Sequence, residues 1–284
     1  MTASNLLFYI CNPTTKAWHA LPEPPRGITR LLRCGLVFKN DKQVGYDVVL
    51  FCNTTNYGFD FAASVDRDRL QMTVFCSQTA RWTPLAVVLP PPPMMWSRNM
   101  SLCAHLSNKA IACDGLLYWL LESNTSDWGA IIAFDPIKAA AGQRCFQYIG
   151  RPADAGARNI HIGRVRLGTC MTPEANGFVL RVWELSRRGG DDSSYLPYWS
   201  VVYNDVLRGF DNVLKTTGGT LVGLHPSNPN IVFLRCTGYV FLYNMLQRKA
   251  EKVGDLPPAI TNSCFAVSLH FLFGHSFWPT PVNS

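Results

Sequence analysis

Tyr9-Ile10-Cys11-Asn12-Pro13-Thr14-Thr15-Lys16-Ala17-Trp18-His19-Ala20-Leu21-Pro22 carries the reading that decides the fold. An apolar strand ends at Cys11. Asn12-Pro13 opens a turn, because Asn bonds its own backbone and Pro presets φ for the second turn position. Thr14, Thr15 and Lys16 keep the turn in water. Trp18 begins a return strand, and Pro22 stops it, since Pro cannot donate to a ladder. The stretch is one hairpin with a stop signal.

The same pattern recurs downstream. Val74-Phe75-Cys76 leads through Ser77-Gln78-Thr79 to Arg81-Trp82 and a stop at Leu89-Pro90. Ile131–Phe134 leads through Asp135-Pro136 and Lys138 to Cys145-Phe146 and Pro152, and Val240–Tyr243 through Asn244 to Arg248-Lys249, Val253 and Leu256-Pro257. The turns fall at positions 12, 77, 135 and 244, so the last interval is about twice the others. A degenerate copy fills it: Val179–Leu185 followed by Tyr198-Trp199. A period of roughly 50–60 residues with several short strands in each is the mark of a β-propeller. The expected fold is all-β, a propeller of about five to six blades over residues 1–284 as a single domain. Trp18 and Trp82 are expected to fill equivalent buried positions between blades.

Strand candidates follow in order. Leu31–Phe38, Gly45–Cys52, Leu70–Phe75 and Trp82–Val88 make a first unit. Ser101–Leu106, Ala110–Leu121, Ala130–Phe134 and Cys145–Ile149 make a second. Val165–Met171, Gly177–Leu185 and Tyr198–Tyr203 make a third, and Val213–Leu214, Thr220–Leu224, Ile231–Cys236 and Tyr239–Tyr243 a fourth. The chain opens on a hairpin without inner strands and ends on the apolar segment Ser263–Phe273. Pairing of those two segments would close the ring and remove exposed sheet edges.

Bulk properties agree. Of 284 residues 48% are hydrophobic and 16% charged, which suits a sizeable core, and 19 Pro and 21 Gly lie between short apolar runs. No run approaches the ~18 apolar residues of a membrane-spanning helix, and no basic region precedes the short apolar run Leu6–Cys11, so neither membrane insertion nor a signal peptide is expected. None of the ten cysteines forms a C-x-x-C pair. Most sit in strand patterns, which favours reduced, buried thiols in cytoplasm or nucleus.

The net charge is +7, and Arg144–Arg188 concentrates eight Arg against Asp154, Glu174 and Glu184. A solvated face accounts for such a segment, and a patch for an acidic partner competes with it. Without aromatic–basic interleaving, no nucleic acid is expected. Two loops are candidates for partner binding. Pro90–Pro93 leads into Met94, Met95, Trp96 and Arg98, and the loop Arg187–Ser194 opens on Arg187 and Arg188.

Chemistry is not in evidence. None of the six histidines stands at metal-ligand spacing from Cys or carboxylates. There is no nucleophile elbow or phosphate-binding loop, and Gly218-Gly219 is a lone pair. No catalytic residue, metal or cofactor is expected.

The run Cys11–Trp18 with Leu21-Pro22 closely resembles the hallmark of the F-box-associated domain of plant F-box proteins. Asp114-Gly115-Leu116-Leu117-Tyr118-Trp119, Val182-Trp183-Glu184-Leu185, Asn244 and Trp278-Pro279-Thr280-Pro281 resemble later elements of that family in the same order. The resemblance implies a non-catalytic module that recognises a protein substrate for a Skp–cullin–F-box ubiquitin ligase. The helical F-box that docks the Skp-type adaptor is absent, so the chain is expected to be incomplete at its N-terminus, with adaptor binding in doubt. A carbohydrate-active or oxidative propeller enzyme and a non-functional fragment are the alternatives.

Overall fold

The computed structural model describes residues 8–12, 16–25, 31–38, 45–52, 69–88, 106–113, 115–121, 130–152, 160–163, 166–171, 179–186, 198–207, 219–225, 228–236 and 238–255. They form β-strands and one short helix. The chain divides into two compact units. The first comprises Met1–Glu122, Ala130–Ile149 and Gly274–Ser284, and the second Ser123–Gly129 and Gly150–Phe273.

The first unit starts with the hairpin β1 (Tyr9–Asn12) and β2 (Ala17–Ala20). A four-stranded antiparallel sheet follows: β3 (Leu31–Phe38), β4 (Tyr46–Cys52), β5 (Arg69–Cys76) and β6 (Arg81–Val88), in that spatial order. The next sheet is β7 (Leu106–Cys113), β8 (Leu116–Leu121), β9 (Ala130–Phe134) and β10 (Phe146–Gly150). The first strands of the two sheets, β3 and β7, lie against each other.

Val48–Phe51 shows why β4 is apolar without alternation. Both faces of the strand are covered, as a continuous apolar run in a strand requires. Val49 and Phe51 point into a core with Met72, Val74, Leu117, Trp119, Ile132, Phe134 and Phe146. Val48 and Leu50 point the other way, onto Leu21 and Phe75, with Phe8, Ile10 and Trp82 beside them. Phe51 meets Trp119 edge-on, with ring centroids 4.8 Å apart at 85°, the arrangement that aromatic quadrupoles favour.

The second unit holds β11 (Ile160–Gly163), β12 (Arg166–Met171), β13 (Val179–Ser186) and β14 (Tyr198–Val206) in one antiparallel sheet. β15 (Gly219–Leu224), β16 (Ile231–Cys236), β17 (Tyr239–Asn244) and β18 (Lys249–Asp255) form another. β11 and β12 lie against β15. Leu180, Val182, Leu221, Val232, Leu234 and Tyr243 form the core between these sheets.

Several expectations change. Ala110–Leu121 is two strands, broken where Gly115 takes φ 76°, a conformation open to Gly at no steric cost. β11 was not expected. The last strand of the final sheet is Lys249–Asp255; Val213–Leu214 lies outside the described residues. Asp135-Pro136 opens a helix, α1 (Pro136–Ala140), in place of a simple turn. Asp135 caps it, Oδ1 accepting from the N–H groups of Ile137 and Lys138 at 3.0 and 3.1 Å, and Pro136 suits a first helical position. The described residues comprise four four-stranded sheets and one hairpin. Ser263–Phe273 lies outside them, and so does the expected ring closure.

Candidate functional site

The last hairpin of each repeat can be compared across the chain. Asn12 pairs with Ala17, Cys76 with Arg81 and Asn244 with Lys249, each pair closing a four-residue turn. The counterpart of Asn12 is therefore Cys76, one residue before the Ser77 that the sequence suggested. In all three turns the fourth residue is left-handed and is not glycine: Lys16 at φ 55°, Ala80 at 51° and Arg248 at 53°. These turns are held tightly. Ser77 N–H donates to the Tyr46 carbonyl at 3.0 Å and Ser77 Oγ accepts from Tyr46 N–H at 2.8 Å. Met245 N–H likewise donates to the Asn230 carbonyl at 2.8 Å, while Asn244 Oδ1 accepts from Gln247 N–H at 3.0 Å.

Three hairpins place tryptophan second in the return strand: Trp18 opposite Cys11, Trp82 opposite Phe75 and Trp199 opposite Leu185. Trp82 Nε1 donates to the Pro22 carbonyl at 2.8 Å, and its ring packs on Phe75 and Phe8. Trp199 Nε1 donates to the Gly150 carbonyl at 2.6 Å. Each indole thus fastens the lead-in segment of its own sheet to that sheet's fourth strand. Trp18 shares the register position but not the burial, for it is 70% exposed. The expectation of a buried Trp18 is corrected: among the described residues no lead-in segment lies across it as Leu21-Pro22 lies across Trp82.

The partner-binding candidates from the sequence, Met94, Met95, Trp96, Arg98, Arg187 and Arg188, all lie outside the described residues. Connectivity alone places them: the first four in the link from β6 to β7, the two arginines in the link from β13 to β14.

The described residues add surface features that composition did not reveal. Large apolar side chains stand exposed on the fourth strand β14: Tyr198, Val201, Val202 and Val206. Leu246 and Ile137 project from the β17–β18 turn and from α1, at 78% and 71% exposure. Arg248 ties its turn to β14, with Nη2 2.6 Å from Asp205 Oδ2, and Arg181 Nε donates to Asn204 Oδ1 at 3.1 Å while its guanidinium lies over Trp183. Among the described residues no group of three or more His, Cys, Asp or Glu could hold a metal ion, and no helix is long and apolar enough to cross a membrane. Cys34, Cys145 and Cys236 are free thiols.

Antiparallel four-stranded sheets repeated along one chain define a propeller-type repeat protein. The family described as F-box protein At3g26010-like, beta-propeller, matches residues 1–265. The chain belongs to that family. A search of curated proteins found no match.

Proposed function

We propose that this chain is a non-catalytic protein-recognition module, the substrate-binding part of a ubiquitin ligase of the Skp–cullin–F-box type. The family match across residues 1–265 carries the reading. Propellers hold partners with loops set on a rigid scaffold, and the β6–β7 and β13–β14 links bear suitable residues. Met94, Met95 and Trp96 are apolar, with Arg98 two residues further along the sequence. Arg187 and Arg188 offer a bidentate cationic pair suited to carboxylates. The net charge of +7 favours an acidic partner. No cofactor or nucleic acid enters this reading. Cytoplasm or nucleus is the site of action in this reading, in keeping with the free thiols of Cys34, Cys145 and Cys236. In the same reading Ser263–Phe273 pairs beside β1 and β2 and closes a ring of five or six blades.

Proximity labelling with the full chain, under proteasome inhibition, tests the proposal. The expected result is a discrete set of labelled proteins bearing ubiquitin, diminished by Trp96→Asp and by the double variant Arg187→Glu/Arg188→Glu. Equal labelling by both variants and the parent chain would overturn it.

A further inference from the structure

We draw no further inference here: the strongest candidate, the exposed apolar face of the β1–β2 hairpin bearing Tyr9 and Trp18, carries nothing because nothing in the structure shows what covers it.

Discussion

Trp82 Nε1 lies 2.8 Å from the carbonyl oxygen of Pro22, a residue 60 positions earlier in the chain. Trp199 and Gly150 repeat the arrangement 49 positions apart. Losing one such hydrogen bond costs about 1 kcal/mol when the ring is otherwise kept. Trp82→Phe and Trp199→Phe should each lower the stability of the full chain by about that amount in urea unfolding. Trp18→Ala, at an exposed position, should stay within about 0.5 kcal/mol of the parent. A large loss at Trp18 would mean that a further segment covers it.

Gly35 lies where β3 packs against the second sheet. A Cβ there would stand 2.8 Å from Trp119 Cζ2, 2.9 Å from Leu117 Cδ1 and 3.1 Å from Ala110 Cβ. Those atoms belong to packed core side chains with little room to move. Gly35→Ala should therefore destabilise by about 1–3 kcal/mol, the usual cost of overpacking. An unchanged denaturation midpoint would refute the contact between β3 and β7–β8.

Ala80 holds φ 51° at a cost of about 1–2 kcal/mol relative to glycine. Replacing it with glycine relieves that strain but raises the entropy of the unfolded chain by about 0.4–1 kcal/mol. Ala80→Gly should thus leave stability equal or raise it by up to about 1.6 kcal/mol, measured in urea. A clear loss would contradict the left-handed turn.

Burial pushes the thiols of Cys145 and Cys236 up from 9.0 to about 11. Above pH 9.0 the unfolded chain releases protons that the folded state keeps. The unfolded state then binds fewer protons, and stability falls as pH rises. The contribution is complete below pH 9.0 and is lost between there and about 11. The urea midpoint should decline across that window, and Cys236→Ala should flatten the decline. An identical slope in the variant would place Cys236 in water.

The strands were legible because their apolar runs are short, bounded by Pro, Gly and Asn, and in β4 buried on both faces. The terminal hairpins were legible, including the degenerate β13–β14 copy, although the second turn starts after Cys76 and the third holds α1. Burial was less legible than position. Trp18 and Trp82 look alike in sequence and share a register, yet only Trp82 has a lead-in segment against its ring. β11, Ile-His-Ile-Gly, is four residues long with a histidine inside, too short to give a periodic signal. α1 carries a readable start in Asp135-Pro136, but similarity to the other turns masked it. The exposure of β14 was unreadable, since Val201 and Val202 resemble core valines until the bulge beside Trp183 turns both outward.

Protein recognition itself is tested most directly by calorimetric titration of the full chain with the protein most enriched in proximity labelling, each purified. The account predicts saturable one-to-one binding, weakened about tenfold or more by Trp96→Asp or by Arg187→Glu/Arg188→Glu at unchanged melting temperature. Absence of saturable binding to any enriched protein would contradict it.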